Sequence, residues 1–223
     1  MTISRRKAMR LLLGSGAAAV GAGVVGAGWL RHKLDPGTPL GYDFPHEAGP
    51  SRLLPPTPAC GRDLAPTPRA VEGPFYRPAS PERAVLRDAE TFGRPLVIEG
   101  RVLTPDCRPV AGAVLDFWSC DGRGVYDNAG FRLRGHQFAD AEGRFRVETV
   151  KPGDYKQYGL HRTPHVHIKV QGRGTALLTT QLFFPGEPHN ENDWLAHDSL
   201  VMKLEGAADG PLVGKFDFVL TKV

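Results

Sequence analysis

The feature that most constrains the fold is a series of short apolar segments, each rich in β-branched or aromatic residues and bounded by Gly, Pro or Asp. These segments are residues 94–103, 110–120, 143–150, 165–172, 177–184 and 214–223. After residue 30, no stretch long enough for an ordinary helix carries apolar residues at helical spacing. Because the strands do not alternate with helices, the pattern predicts an all-β fold, an antiparallel β-sandwich or barrel, with long loops.

The N-terminal part of the chain differs in composition from the rest. Residues 1–30 contain "SRRKAM" and then a stretch rich in Gly and Ala, which resembles a twin-arginine (Tat) export signal. A membrane anchor is the alternative, since ~20 apolar residues span a bilayer, and cleavage or retention of the leader stays open. Residues 31–70 are rich in proline and predict an extended linker or a wrapping arm. Residues 71–223 remain for a single folded domain.

The formal net charge of +4 comes from the leader and not from the folded part. Four basic residues near the N-terminus, Arg5, Arg6, Lys7 and Arg10, supply this charge with no nearby acid to offset it. The remaining chain is therefore close to neutral. This distribution excludes the basic footprint that a nucleic-acid-binding domain needs, and we expect no nucleic-acid partner.

Three cysteines, Cys60, Cys107 and Cys120, allow at most one intramolecular disulfide. An exported protein would meet an oxidising compartment that permits such a bond, and the sequence leaves the pairing open. No C-x-x-C motif is present, which argues against a zinc knuckle or a redox dithiol.

Two histidines lie one residue apart in the alternating segment "RTPHVHIKV", residues 162–170. Side chains two positions apart in a strand point to the same face. His165 and His167 should therefore project together, with Val166, Ile168 and Val170 on the opposite face. Two adjacent imidazoles are typical of a metal site, and structural or surface histidines are the alternative.

Two tyrosines lie in turns upstream of the histidines. Tyr126 is in the Gly-rich "DGRGVYDN", and Tyr155 directly follows a Pro-Gly turn. Each alone could be a surface residue, and Tyr158 is a competing phenol in the same stretch as Tyr155. Together with the imidazoles, two phenolates would form a hard O/N site that favours a trivalent ion such as Fe(III).

Five motifs in this order resemble the intradiol ring-cleavage dioxygenases, the family of catechol and protocatechuate dioxygenases. The motifs are "VEGPFYRP", "PVAGAVLDFWSCDGRGVYDN", "LRGHQFADAEGRFRVETVKPGDY", "HRTPHVHIKV" and "LLTTQLFFPGEP". The resemblance covers about residues 60–223 and implies the antiparallel β-sandwich of that family. The helical N-terminal dimerisation segment of the catechol enzymes is not visible in this sequence, so a homo-oligomer is left open.

The resemblance implies the site residues. The non-haem Fe(III) ligands carry over to Tyr126, Tyr155, His165 and His167, and Tyr155 would be the ligand that leaves when substrate binds. Two catalytic partners of the metal also carry over. They are Arg162, which would stabilise developing negative charge, and Gln181, which would hold the intermediate or Arg162 in place. The residues near the substrate would be Gly73, Pro74 and Tyr76.

The implied function is an oxidoreductase of aromatic compound catabolism. It would use O2 to open a small aromatic diol between the two hydroxylated carbons and give a muconate-type diacid. A non-catalytic β-sandwich binding module is the alternative, and a zinc hydrolase or Fe(II) oxygenase is a third. Export by the Tat machinery predicts a periplasmic or extracytoplasmic location, membrane-anchored if the leader is retained. The sequence does not identify which catechol derivative is the substrate.

Overall fold

A computed structural model describes residues 64–157, 159–207 and 210–223. Two 3-10 helices in this part of the chain span Asn190–Asn192 and Asp198–Leu200. The strands are β1 (Pro95–Leu103), β2 (Val114–Trp118), β3 (Arg134–Phe138), β4 (Arg144–Val150), β5 (Tyr155–Gln157), β6 (Leu160–Arg162), β7 (His165–Gln171), β8 (Leu178–Phe183), β9 (Lys203–Glu205), β10 (Leu212–Lys215) and β11 (Phe218–Val219). The all-β prediction is confirmed, since strands dominate the described residues and α-helix is absent from them.

One sheet has four antiparallel strands in the order β3-β2-β7-β8. β7 is a central strand of this sheet, with β2 on one side and β8 on the other. Its register places His167 opposite both Trp118 of β2 and Gln181 of β8. Because paired residues in neighbouring strands share a face, these three side chains lie side by side on one surface of the sheet.

The second sheet is built around β1, which pairs antiparallel with β4 and parallel with β10 and β11. The prediction of antiparallel strands holds for the first sheet but not for these two C-terminal pairings. β10 runs antiparallel to β9 and lies between β9 and β1, in the same direction as β1. The segment 214–223, predicted as one strand, is divided between β10 and β11, and the short strands β3, β5, β6 and β9 were not predicted.

The hydrophobic core lies between the two sheets. The four-stranded sheet contributes Phe117 and Ile168, and the sheet around β1 contributes Ile98 and Val147, all essentially inaccessible to solvent. Burying each such side chain stabilises the fold by about 1.5–3 kcal/mol. The alternation predicted for β7 is observed, since Val166, Ile168 and Val170 pack in this core. The odd-numbered residues of β7 therefore face the other side.

The described end of the predicted arm lies along the sandwich. Leu64 N–H donates to the Pro105 carbonyl, Thr67 N–H to that of Val219 and Ala70 N–H to that of Thr179. The export signal, the rest of the arm, Cys60 and the competing phenol Tyr158 lie outside the described residues. Among the residues that are described, none forms a helix with the length and hydrophobicity required to cross a bilayer.

Candidate metal centre

The two histidines of β7 bring their Nε2 atoms within 3.2 Å of each other. Each side chain is only 1% exposed. Nδ1 of His165 lies 2.6 Å from the Thr163 carbonyl, an acceptor that fixes the proton on Nδ1 and leaves the Nε2 lone pair for a metal. The His167 ring stacks on the Trp118 indole at a centroid distance of 4.8 Å and an interplanar angle of 9°, which fixes its plane.

Both predicted phenols lie at the same place. The Tyr155 hydroxyl is 3.4 Å from Nε2 of His165, and the Tyr126 ring meets the Tyr155 ring edge-on at a centroid distance of 5.6 Å. The Tyr126 hydroxyl is buried, and no hydrogen-bond partner for it is found among the described residues. A buried hydroxyl without a partner carries a desolvation cost. Coordination to an ion would remove that cost.

The protonation of the four donors follows from their burial. Burial raises the pKa of the Tyr126 and Tyr155 phenols above the ordinary value, and for Tyr126 the nearby Tyr155 adds to the increase. Burial and then the Arg162 guanidinium lower the pKa of both the His165 and His167 imidazoles well below the ordinary value. The imidazoles are therefore neutral and ready to ligate. The phenols lose their protons only to a strongly charged cation, which fits a trivalent ion such as Fe(III).

Arg162 and Gln181 form a buried chain of hydrogen bonds beside the donors. The Arg162 side chain is 1% exposed, and its Nη2 donates to Gln181 Oε1 over 2.7 Å. Gln181 Nε2 donates in turn to the Val71 carbonyl over 2.8 Å. Arg162 Nε donates to Asp193 Oδ2 over 2.9 Å. The guanidinium is thus held by Gln181 of β8 and by Asp193 in the loop after it.

The segment containing Gly73, Pro74 and Tyr76 covers the centre. Gly73 has a φ of +73°, and a Cβ there would lie 3.3 Å from Cε1 of His167, so the backbone closely approaches this imidazole. Pro74 is exposed. The Tyr76 hydroxyl donates to Asp116 Oδ2 over 3.1 Å. Burial, and then the Asp116 carboxylate, raise the pKa of Tyr76 to about 12.

The structure brings together all four predicted metal ligands with Arg162, Gln181 and Gly73. Sequence reasoning missed two residues that contact this group. Phe75 stacks on the Tyr126 ring at a centroid distance of 4.2 Å. Asp193 lies in a segment that resembles a polar loop, yet its residue exposure is 2%. Only the pairing with Arg162, which is distant in sequence, distinguishes Asp193 from an ordinary loop acid.

Comparisons with known proteins show which family the chain belongs to. The sequence profile of a family described as Dioxygenase matches residues 71–222. The chain is 36% identical over 183 residues to a chlorocatechol 1,2-dioxygenase of Pseudomonas sp. (strain P51), which covers 69% of this chain and 70% of that protein. It is 33% identical to catechol 1,2-dioxygenase 2 of Acinetobacter lwoffii, over 57% of this chain and 54% of that protein.

The solved structures that resemble this chain are also dioxygenases. The dioxygenase domain of a dioxygenase carbohydrate-binding protein fusion from Streptomyces sp. SirexAA-E is 45% identical, with a TM-score of 0.66 over 71% of this chain and 100% of that one. The 3-chlorocatechol 1,2-dioxygenase of Rhodococcus opacus 1CP is 26% identical, with a TM-score of 0.66 over 70% and 72% of the two chains. The chain belongs to the family of intradiol ring-cleavage dioxygenases, which are oxidoreductases.

Proposed function

We propose that the protein is a non-haem Fe(III) enzyme that cleaves a catechol-type ring between its two hydroxylated carbons with O2, giving a muconate-type diacid. The observation that supports this most directly is the convergence of three donor atoms beside the buried Tyr126 hydroxyl. Nε2 of His165 lies 3.2 Å from Nε2 of His167 and 3.4 Å from the Tyr155 hydroxyl. When bound there, Fe(III) would supply Lewis acidity that makes the ring of the diol reactive toward O2.

The two phenols have different surroundings and therefore different roles. Tyr126 is 7% exposed and lies under the stacked Phe75 ring, so it has little room to move. Tyr155 is only partly buried and lies in β5, which pairs with β6 alone. Tyr155 would accordingly be the ligand that can leave when substrate binds. Its phenolate oxygen would then be free to take up a proton that the diol loses.

Arg162 acts through its charge. It lies opposite Tyr155 in the β5–β6 hairpin, and its guanidinium is buried where the dielectric is low. A fixed positive charge at this place stabilises negative charge on the ring oxygens as the reaction proceeds. Gln181 positions Arg162 and connects it to Val71, two residues before Gly73.

The substrate class is a small aromatic diol. The related proteins are named as catechol and chlorocatechol 1,2-dioxygenases, and the similar Streptomyces domain is part of a fusion with a carbohydrate-binding protein. The exposed Pro74 and the partly buried Phe75 and Tyr76 would border the bound ring. A catechol carrying a substituent is compatible with this open border.

Oxygen uptake by the iron-loaded protein tests the proposal on a panel of catechol, chlorocatechol, protocatechuate and hydroxyquinol. We expect one equivalent of O2 per diol consumed, a diacid product, and visible absorption from phenolate bound to Fe(III) before substrate is added. Protein that binds no iron, or coloured protein that consumes none of these diols, would contradict the proposal. The second result would instead indicate a binding module.

A pair of variants separates the roles of the two phenols. Tyr155→Phe should slow turnover far more than it weakens iron binding, because this phenol would leave the metal and take up a proton from the diol. Tyr126→Phe should lower the iron content itself, because this phenol stays in place. Equal losses of iron in both variants would contradict the leaving role of Tyr155.

We also propose that the protein is exported by the Tat machinery, on the basis of Arg5 and Arg6 in the leader. Cell fractionation of the full chain tests this location. Replacing both arginines by lysine keeps the charge but removes the paired guanidinium groups. We expect the double variant to stay in the cytoplasm, and unchanged export would contradict the proposal.

A further inference from the structure

A second group of metal-binding side chains lies apart from the four donors of the centre. Asp154 directly precedes β5, His161 is in β6, and His189 lies in the loop after β8. His161 Nε2 is 2.6 Å from Asp154 Oδ2, and the His161 and His189 rings lie 3.8 Å apart at an angle of 34°. One donor atom from each residue lies within 4.8 Å of the others.

We propose that Asp154, His161 and His189 form a second metal site, which binds a divalent ion such as Zn²⁺. Two imidazoles and one carboxylate are a usual donor set for such an ion, with water in the remaining positions. The set contains no phenol, so it lacks the two anionic oxygens that favour Fe(III) at the other centre. The two sites share no ligand, and their different donor types favour different metals.

The surroundings of the three residues suit a solvent-accessible ion. Asp154 is exposed, and both histidines are partly buried. Asp154 also borders a concavity of about 280 Å³ that contains Lys151 and Glu187. Those two form an ion pair of 2.6 Å, so the Lys151 charge beside this concavity is already balanced.

The site would join two parts of the chain. Asp154 and His161 belong to the β5–β6 hairpin, and His189 belongs to the loop that also contains Asp193. Bound metal would add one cross-link between these segments in the folded state alone. It should therefore raise the melting temperature of the protein in proportion to the logarithm of the free ion concentration.

Isothermal titration calorimetry with zinc sulfate tests the site on the iron-loaded full chain. We expect one equivalent of Zn²⁺ to bind while the visible absorption of the iron centre stays constant. His189→Ala and Asp154→Asn should each weaken this binding at least about tenfold. Removing even a residue that only hydrogen-bonds to a metal ligand can cause a loss of that size. His197→Ala is the matched control, because His197 is an exposed histidine that contacts Ser199 and not the cluster.

Three outcomes would overturn the second site. They are absence of Zn²⁺ binding, equal binding by His189→Ala and wild type, and an equal loss in His197→Ala. Melting curves without added zinc show whether each variant is folded. If the chain cannot be loaded with iron, the proposed function fails, but the zinc titration of metal-free wild type against His189→Ala still decides this site.

Discussion

Asp193→Asn is the most informative substitution in the protein, because it removes one charge from a fully buried ion pair. The pair joins Arg162 Nε to Asp193 Oδ2 over 2.9 Å, with side-chain exposures of 1% and 0%. The carboxylate also accepts from the backbone N–H groups of Thr163 over 3.0 Å and Leu195 over 3.1 Å. An amide in its place has one acceptor oxygen and an NH2 group, which cannot accept from Arg162.

The expected loss of stability follows from burial. Removing one partner of a buried ion pair costs about 3–5 kcal/mol, because the other charge is left without compensation. For a chain of this size each kcal/mol lowers the melting temperature by about 2–4 °C. Asn preserves part of the backbone hydrogen bonding, so the lower end applies. We expect Asp193→Asn to lower the melting temperature by about 6–12 °C.

Differential scanning calorimetry of the iron-loaded protein measures this shift. Glu205→Gln is the matched control. It removes the carboxylate charge from the ion pair between Glu205 and Lys215, whose side chains are 60% and 44% exposed, respectively. Exposed pairs contribute little, and the control should move the melting temperature by less than about 2 °C. Equal shifts in Asp193→Asn and Glu205→Gln would refute the buried pair.

Turnover of the same variant tests whether Asp193 positions Arg162. At 25 °C, where both variants remain folded, Asp193→Asn should reduce kcat by about tenfold or more, with a smaller change in KM, because the guanidinium loses its orientation. Glu205→Gln should keep the wild-type kcat. An unchanged kcat in a destabilised Asp193→Asn would mean that the pair is structural only.

Three further substitutions or modifications test other parts of the structure. Gly73→Ala should lower the iron content, because the φ of +73° disfavours a side chain and the new Cβ would lie 3.3 Å from Cε1 of His167. A full iron content in this variant would contradict the close approach. Phe117→Ala should reduce the free energy of unfolding by about 3–5 kcal/mol in urea titrations, through a cavity between the sheets, and a loss below about 1 kcal/mol would contradict its core position. Burial raises the pKa of the Cys120 thiol to about 12, so mass spectrometry should find it unmodified by iodoacetamide at pH 8 unless the protein is unfolded.

Local alternation made the face with the candidate metal ligands predictable. The strand period assigns His165 and His167 to one side of β7 and Val166 to the other without any knowledge of the partner strands. The same period puts Asp116 and Trp118 on one face of β2. Strand pairing then brings these two faces into one surface, because β2 and β7 are neighbours.

The C-terminal pairing was not predictable, because it depends on a contact between distant residues. Between β10 and β11 the chain approaches β1 so closely that a Cβ on Gly100 would overlap the Phe216 carbonyl. Asp217 Oδ1 accepts from the Arg101 N–H over 2.8 Å, in place of a backbone carbonyl. This substitution of a side chain for the backbone divides the predicted strand 214–223, and nothing local in that segment indicates it.

Asp193 shows the same limit at the site. Its segment, "PHNENDW", has the composition of an exposed loop, and exposure is the correct expectation for most acids in such a segment. Asp193 is buried because it supplies the counter-charge of the buried Arg162, about thirty residues earlier. The periodicity of the sequence does not reveal an ion pair between residues so far apart.

The two kinds of candidate metal ligand lie on backbone of different stability, and this difference bears on which of them would leave. The imidazoles are on β7, which is hydrogen-bonded to β2 on one side and to β8 on the other. The opposite face of β7 packs in the core. Displacing either imidazole would disturb that core. The phenols come from outside the four-stranded sheet: Tyr126 from the loop after β2, and Tyr155 from a hairpin of two short strands. Since local opening is easiest where few partners exist, exchange of a ligand during turnover should occur at Tyr155.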